Sequence, residues 1–484
     1  MRALFVTSEA YPLIKTGGLA DVSGALPNAL KQLNVDIKLL IPGYPAVLSQ
    51  VQNQRLIGHL QVFSHTSCDL ISGFMPNTQL EVIIIKNQAL YERVGGPYTN
   101  EFGHDWHDNP MRFGVLSKVA SLLCDKNNIS GLDWVPEVVH CNDWQTGLTP
   151  YYLHLMQASH VKTILSIHNL AFQGNFHPNW LHTLEMNPHD FQIEGYEFYG
   201  HLSFLKAGIY YANELATVSP NYAKEIQTDA FGFGMQGLLQ AREHKITGIL
   251  NGIDTDEWNP ETDPHLPHAY NAKKLNNKQL VKSYLQEKMQ LPVAADTPLF
   301  GIVSRLTHQK GVDIVIEAIP ELIAMGCQIV VLGSGEKVFE TQLLSYAAEF
   351  PHQVAVTIGY NEPLSHLVMA GVDIFLMPSR FEPCGLNQLY GLRYGTPPIV
   401  SNTGGLADSI CHTTDETLAN HTATGFVMEN VNRLSLLVTI KQVLSIWKNK
   451  KSWKEIQING MKQEIGWKNS ANAYIALYKK VLTG

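Results

Sequence analysis

Short runs of mostly apolar residues recur along the chain and alternate with longer stretches of helical period. In the first half these runs are residues 4–6, 37–41, 80–85, 138–140, 163–167 and 215–218. Continuous apolar runs are typical of strands that are buried on both faces, and their alternation with helices favours right-handed βαβ units. The pattern therefore predicts an α/β domain that is built on a doubly wound parallel sheet.

A second series of apolar runs follows a polar stretch that contains Pro260, Pro264 and Pro267. The later runs are residues 299–303, 328–332, 354–358, 374–377 and 398–400. We interpret the polar stretch as a linker and expect a second doubly wound half of similar size. From about residue 453 the period is helical, so we expect this tail to pack on one of the two halves.

Composition and charge narrow the class of protein. The chain has 484 residues, of which 45% are hydrophobic and 16% charged, as in ordinary globular proteins. Its formal net charge of −8 favours a small or neutral partner over nucleic acid or an anionic membrane. The six cysteines form no CxxC pair, and the N-terminal apolar run is too short for a signal peptide. We therefore expect a cytoplasmic protein with no membrane span.

A glycine loop, Lys15-Thr16-Gly17-Gly18, follows the first predicted strand and precedes a helical stretch. Adjacent glycines let the backbone approach a bulky anion, and amides at the start of a helix attract it. A diphosphate is a plausible ligand, although a tight turn beside a solvated lysine is the simpler alternative. The glycine turn at 331–336 lacks the third glycine of the dinucleotide fingerprint, and we interpret it as structural.

Polar residues follow two neighbouring strands of the first half, at 140–144 and at 168–169, and include Asp143 and His168. A lone histidine such as His140 or His168 is more often structural than catalytic, but the positions of these two at strand ends favour a ligand site. No spacing resembles a metal-binding motif, so we predict no bound metal.

The second half carries its candidate chemistry in three loops. Arg305 and Lys310 follow its first strand, where a planar fork and a mobile ammonium suit phosphate oxygens. Residues 378–386 hold Glu382 between an aromatic residue and a proline, and residues 403–408 form a further glycine turn. Cys384 has no partnered histidine in the sequence, so we favour packing beside a ligand over thiol catalysis.

Taken together, the glycine loop at 15–19, the Arg305/Lys310 loop and residues 380–385 and 403–408 resemble the bacterial glycogen synthase and plant starch synthase family over essentially the whole chain. The resemblance implies the GT-B architecture: two facing Rossmann-like domains at 1–248 (acceptor side) and 249–460 (donor side), and a last helix, 461–484, that crosses back. It also implies retaining, metal-independent transfer of glucose from ADP-glucose to the non-reducing end of an α-1,4-glucan, without a cofactor.

The resemblance assigns roles residue by residue. It implies a catalytic group of Glu382, His168, Arg305, Lys310 and Asp143. It implies substrate contacts from Lys15, Gly17, Gly18, Asn251, Tyr360, Cys384, Gly385, Leu386, Thr403 and Gly404. In this assignment Tyr360 stacks on the nucleobase and Glu382 acts beside the transferred glucose. One departure is Asn142, where many bacterial relatives carry a second histidine.

Three other functions stay open at this point. A phosphorylase-like transferase would need a lysine-bound pyridoxal cofactor, and a nicotinamide-dependent oxidoreductase is suggested by the doubly wound pattern alone. A catalytically silent glucan-binding or regulatory protein is the third. The joint presence of Lys15, His168, Arg305, Lys310 and Glu382 argues against the last.

Overall fold

A computed structural model of the protein describes residues 1–125 and 134–484. Its contacts divide the chain into two units, which are residues 1–252 together with 467–484, and residues 253–466. The first unit is therefore discontinuous in sequence, and each unit is described by itself below.

Within the described residues, the first unit contains a nine-stranded sheet and a small three-stranded sheet. The strands are β1 Arg2–Val6, β2 Asp36–Pro42, β3 Gln52–Phe63, β4 Thr66–Phe74, β5 Glu81–Lys86, β6 Val138–Asn142, β7 Lys162–Ile167, β8 Asn175–Phe176, β9 Glu197–Phe198, β10 His201–Ser203, β11 Glu214–Thr217 and β12 Ile246–Gly248. The large sheet has the order β12-β11-β7-β6-β1-β2-β5-β4-β3, and β8, β9 and β10 form the small one. The six predicted apolar runs all lie in parallel strands of the large sheet.

The sequence analysis did not predict β3 and β4, which add an antiparallel ribbon to the edge of this sheet. The first residues of β3 are Gln52, Asn53, Gln54 and Arg55, and these side chains are exposed. An edge strand with one wet face alternates polar and apolar residues, so it produces no continuous apolar run.

The helices of the first unit are Gly18–Gln32, Pro45–Gln50, Gln88–Tyr91, Asn109–Leu122, Leu148–Leu155, Trp180–Thr183, Phe204–Tyr211, Pro220–Glu225, Gln236–Ala241 and Trp467–Thr483. The last of these joins the unit through buried polar contacts as well as apolar ones. Tyr478 Oη lies 2.8 Å from His140 Nδ1, and Ser470 donates to the carbonyl oxygen of Leu250 at 2.6 Å. His140 is fully buried, and its Nε2 lies 2.7 Å from Ser166 Oγ. His140 is thus a structural residue that connects the sheet to the C-terminal helix.

The second unit is built on a parallel six-stranded sheet in the described chain. Its strands are β13 Leu299–Val303, β14 Gln328–Gly333, β15 Val354–Ile358, β16 Ile374–Met377, β17 Pro398–Ser401 and β18 Phe426–Met428. Their order in the sheet is β15-β14-β13-β16-β17-β18. Its helices are Asn277–Lys288, Val312–Ala324, Lys337–Glu349, Glu362–Gly371, Asn387–Arg393, Gly404–Ser409, Asp415–Ala419, Arg433–Lys448 and Lys450–Met461. Two apolar clusters, one on each face of this sheet, form its core.

The prediction of a linker near Pro260 was wrong in one respect. Trp258, Asp263 and Tyr270 are buried in the core of the second unit, and the Trp258 indole stacks on the rings of His366 and Tyr390 at 3.8 and 3.7 Å. Prolines do exclude regular elements from this stretch, but its aromatic side chains bury as core residues.

Helix length and hydropathy also bear on membrane insertion. Among the described residues, no helix combines the length and the apolar character that crossing a bilayer requires.

Candidate functional site

Each parallel sheet has one place where the strand order reverses. In the first sheet this place lies between β1 and β6, and in the second it lies between β13 and β16. Ligands of open α/β sheets bind beyond the carboxyl ends of the strands at such points. The loops after these strands contain most of the residues that the sequence singled out.

Glu9 organises the glycine loop that follows β1. Its Oε2 accepts hydrogen bonds from the amides of Thr16 (2.5 Å) and Gly17 (3.2 Å), and its Oε1 accepts from Tyr98 Oη at 2.7 Å. Glu9 is almost wholly buried, and this burial raises its pKa. The sequence analysis missed Glu9 as a site residue, although a charged residue directly after a buried strand was a usable signal.

Gly17 and Gly18 leave open space in front of the first long helix. Gly17 caps this helix, which begins at Gly18. Among the described residues, no heavy atom lies within 4 Å of the point that a Cβ would occupy on either glycine. Internal packing therefore does not require glycine here, whereas a ligand close to the backbone would. Lys15 stands beside this space, with its Nζ 2.7 Å from Asp21 Oδ1.

Asp143 and His168 meet after β6 and β7. Asp143 Oδ1 accepts from the His168 amide at 2.7 Å. Burial raises the pKa of Asp143 to about 7 and lowers the pKa of the His168 imidazole to about 4. Asp143 also combines a φ of 55° with a ψ of −171°, a backbone conformation that residues with a side chain rarely adopt. Near neutral pH the imidazole is therefore uncharged.

Asn142 sets the tautomer of that imidazole. Its Nδ2 donates to the carbonyl oxygen of Val6 at 2.9 Å, which orients the amide so that Oδ1 faces His168 Nε2 at 2.9 Å. Since Oδ1 can only accept, Nε2 carries the proton and Nδ1 is left as an acceptor. The departure at 142 therefore supplies a side chain that orients the His168 ring.

Asn251 follows β12 and is buried, and its Oδ1 has no hydrogen-bond partner in the described part of the chain. A buried amide oxygen without a partner is costly, so a donor from a ligand would satisfy it.

Lys310 and Glu382 come together in the second unit, across the ends of the adjacent strands β13 and β16. Lys310 Nζ forms an ion pair with Glu382 Oε2, which also accepts from Ser379 Oγ at 3.1 Å. The Glu382 side chain is about 9% exposed and that of Lys310 about 17%. Arg305 lies in the same loop as Lys310 but is exposed, and its Nη2 donates to Gln309 Oε1 at 3.3 Å.

The glycine turn at 403–408 packs directly against the Glu382 loop. A Cβ on Gly404, which has a φ of 42°, would lie 2.0 Å from the Glu382 carbonyl oxygen. A Cβ on Gly405 would lie 2.2 Å from the carbonyl oxygen of Cys384. The Gly405 amide donates to the same segment, at 3.2 Å from Glu382 O. Glycine is required here for close approach, and the turn thereby fixes the position of Glu382.

The remaining predicted substrate residues flank this turn. Cys384 and Thr403 are buried, Leu386 is half-buried, and Gly385 adopts a φ of 72° before the helix at Asn387–Arg393. Tyr360 lies apart from them after β15, where its ring is 78% exposed and its hydroxyl donates to Glu362 Oε2.

Arg380, although it precedes Glu382 closely, is engaged elsewhere. It forms a bidentate pair with Asp313 at 2.8 and 2.7 Å and donates to the carbonyl oxygen of His308 at 2.6 Å. It therefore braces the loop that carries Lys310.

The structure thus brings the predicted residues into two clusters. One, in the first unit, joins His168 and Asp143 near the glycine loop, and the other, in the second unit, joins Lys310 and Glu382 with Arg305 nearby. In residues 1–125 and 134–484, no group of three or more His, Cys, Asp or Glu side chains is arranged to hold a metal ion.

Comparison with known families covers both units. Residues 2–241 match the starch synthase catalytic domain, and residues 285–459 match the glycosyl transferases group 1 family. The glycogen synthase of Nitrosomonas eutropha is 48% identical, with 100% of this chain and 96% of that protein covered. The glycogen synthase of Nitrosospira multiformis is 47% identical, with 99% and 97% covered.

Solved structures agree with these matches. The catalytic domain of starch synthase IV from Arabidopsis thaliana, bound to ADP and acarbose, superposes with a TM-score of 0.87 at 28% identity, with 100% of this chain and 99% of that chain covered. A sucrose-phosphate synthase from Thermosynechococcus elongatus, 14% identical with a TM-score of 0.57 and the same coverage, shares the fold alone. The predicted GT-B fold class is confirmed.

Proposed function

This chain belongs to the glycogen synthase and starch synthase family of glycosyltransferases, and from that membership we propose that it transfers glucose from ADP-glucose to an α-1,4-glucan. The glucose joins the non-reducing end of the glucan with its anomeric configuration retained. The Arabidopsis relative's complex with ADP supports the choice of the adenine nucleotide as leaving group.

The observation that carries the proposal is the Lys310–Glu382 pair with Arg305 at the switch point of the second sheet. When the bond between C1 of glucose and the diphosphate breaks, its electron pair stays with the phosphate oxygen. Negative charge therefore grows on the diphosphate, while positive charge grows at the sugar. Two cations and one carboxylate match this separation of charge.

Each side chain acts on one part of that separation. Arg305 presents a planar fork to the phosphate oxygens, and the Lys310 ammonium moves from Glu382 towards the leaving group. The Glu382 carboxylate, fixed by Ser379 and by the packing of Gly404, stabilises the electron-deficient sugar. The carboxylate is preformed, so the Lys310 side chain alone has to move during the reaction.

The first unit holds further residues that we propose to contact substrate. Lys15 and the open backbone at Gly17 and Gly18 attract the diphosphate. His168 offers its Nδ1 lone pair to a sugar hydroxyl, and Asp143 holds the His168 backbone in place. The proposed substrate contacts also include Asn251 in the first unit and, in the second unit, Tyr360, Cys384, Gly385, Leu386, Thr403 and Gly404.

We further propose that the reaction needs neither a metal nor an organic cofactor and takes place in the cytoplasm. The basic side chains and the helix amides at Gly18 suffice in charge to hold a diphosphate. The six cysteines are all free thiols, which suits a reducing compartment.

The decisive experiment measures release of nucleoside diphosphate from ADP-glucose and from UDP-glucose, each with and without glycogen and each with and without EDTA. We expect ADP release that depends on glycogen and is unaffected by EDTA. Release of phosphate-free glucose without chain extension, or loss of activity in EDTA, would contradict the proposal. Absorbance in the near ultraviolet tests the pyridoxal alternative on the same sample.

A further inference from the structure

A pocket of about 210 Å³ opens on the second unit, between the start of the helix Asn277–Lys288 and the start of the helix Lys450–Met461. Asp373, which lines it, immediately precedes β16. The pocket therefore lies at the amino ends of the strands, whereas Lys310 and Glu382 lie at their carboxyl ends. It is separate from the proposed catalytic site.

Positive charge dominates this pocket. Among its described lining residues, Lys278, Lys282, Lys450 and Lys454 face a single carboxylate, that of Asp373. Asp373 is already paired with Lys282, with Oδ2 2.7 Å from Nζ. Lys450 Nζ lies 4.0 Å from Asp296 Oδ1, outside the pocket lining, and in the described part of the chain Lys278 and Lys454 form no ion pair.

Lys278 is the most costly of these charges. It is buried, and it donates to the carbonyl oxygen of Ala370 and to Thr396 Oγ1, each at 2.6 Å. Both acceptors are neutral, and burial lowers the pKa of Lys278 to about 7. Asp373 attracts this ammonium without pairing with it, and an anion in the pocket would add further opposite charge.

The N-terminal ends of the two helices also favour a bound anion. Lys278 is the second residue of its helix and Lys450 the first of its own, and neither helix has an acidic residue in its first turn. Lysines at the positive end of a helix dipole are unfavourably placed, whereas an anion there is stabilised. The arrangement destabilises the free protein and favours a bound anion.

The size and the walls of the pocket indicate more than a bare ion. A water molecule occupies about 30 Å³ in the liquid, so 210 Å³ holds several. Trp447 forms part of the wall, with Lys450 Nζ 3.5 Å from its ring centroid and Lys282 Nζ 5.5 Å away. Lys282 Nζ already donates to Ala295 O, Thr297 O and Asp373 Oδ2, whereas Lys450 and Lys454 are exposed. We propose that this pocket binds a small organic phosphate, with Lys450 and Lys454 on the phosphate and the indole wall beside the organic part.

The test is calorimetric titration of the full chain, with ADP at saturation so that the proposed donor site is filled. The probes are ribose 5-phosphate, inorganic phosphate and free ribose. We compare the double variant Lys450→Gln/Lys454→Gln with the matched control Lys448→Gln/Lys451→Gln. All four side chains are exposed and lie in one segment, but the control pair does not line the pocket. Thermal melts establish that both variants fold.

We expect ribose 5-phosphate to bind and free ribose not to bind. The pocket variant should weaken binding at least about tenfold, since it removes two charge-assisted contacts, whereas the control should stay within about twofold. Equal weakening in both double variants, or no binding of ribose 5-phosphate at millimolar concentration, would overturn the proposal. Inorganic phosphate binding as tightly as ribose 5-phosphate would overturn the assignment to an organic ligand.

Discussion

His168 donates its Nε2–H to Asn142 Oδ1 across 2.9 Å, and this single bond leaves Nδ1 as the ring nitrogen that can accept from a substrate. The amide cannot rotate without losing its own bond to the backbone of the neighbouring strand. A neutral ring with a fixed acceptor is suited to accepting a hydrogen bond from a hydroxyl group, and it stays neutral because burial lowers its pKa.

Replacement of Asn142 by Ala should lower kcat about five- to tenfold, since a hydrogen bond of about 1 kcal/mol orients the ring. Steady-state kinetics at saturating ADP-glucose and glycogen measure this loss. Nitrogen NMR of the ring should show a mixture of tautomers at His168, while His140 stays unchanged as the internal control. A kcat equal to that of the unmodified protein would remove the orienting role from Asn142.

Asp143 should make stability depend on pH. Its pKa is raised by burial from an ordinary 3.8 to about 7, so the folded chain retains a proton that the unfolded chain releases. The stabilisation from the neutral carboxyl is complete below about pH 4, declines as pH rises, and is lost once pH passes about 7. Asp143→Asn does not titrate and tolerates the same φ. The melting temperature of this variant, relative to that of the unmodified protein, should therefore rise between pH 5 and 7.5 and then stay level. A difference in melting temperature that does not change with pH would contradict this account.

Substitution of Arg305 and of Lys310 should have different effects on the stability of the protein but similar effects on catalysis. Either substitution by Ala should lower kcat/KM about 10²–10³-fold, because each removes one preorganised charge from the leaving group. Lys310→Ala also leaves buried Glu382 unpaired and should lower the melting temperature, whereas Arg305→Ala should not. The double variant Lys310→Ala/Glu382→Gln should recover that stability without recovering activity. Equal melting temperatures for the two single variants would argue against the ion pair.

Glu382→Gln should lower kcat strongly while the KM for ADP-glucose changes little. Glutamine keeps the size of the side chain and an acceptor, but it removes the negative charge that stabilises the sugar as the bond breaks. If Glu382 acted instead by holding hydroxyl groups of the bound glucose, KM would rise and kcat would stay. Initial rates over a range of donor concentrations separate these two outcomes.

Substitution by Ala should affect stability at Gly404 and ligand binding at Gly18. Gly404→Ala should reduce both stability and turnover, since its Cβ would collide with the Glu382 carbonyl oxygen and displace that loop. Gly18→Ala meets open space, so it should leave the melting temperature within about 1 °C and instead weaken ADP binding. Thermal melts and ADP titrations of the two variants provide the comparison. A large loss of stability in Gly18→Ala would contradict the interpretation of that space as a ligand site.

The sequence predicted the parallel strands well because buried strands leave continuous apolar runs, as at 4–6 and 374–377. It could not predict the ribbon of β3 and β4, whose residues reflect an exposed sheet edge. The bond between Glu9 and Tyr98 could not be predicted because the two residues are 89 positions apart, and local pattern carries no information about such contacts. Gly404 was predicted as a substrate residue, and the structure adds its contact with the Glu382 backbone, which depends on a close approach of two distant segments.

The discontinuity of the first unit sets an order of events during translation. Residues 1–252 emerge first, but Nδ1 of His140 has its hydroxyl partner only after Tyr478 has been synthesised. By then the whole of residues 253–466, with their own core, have already emerged and can fold. The unit that begins first is therefore completed last, and until then the nascent chain exposes the apolar surface that the helix Trp467–Thr483 covers.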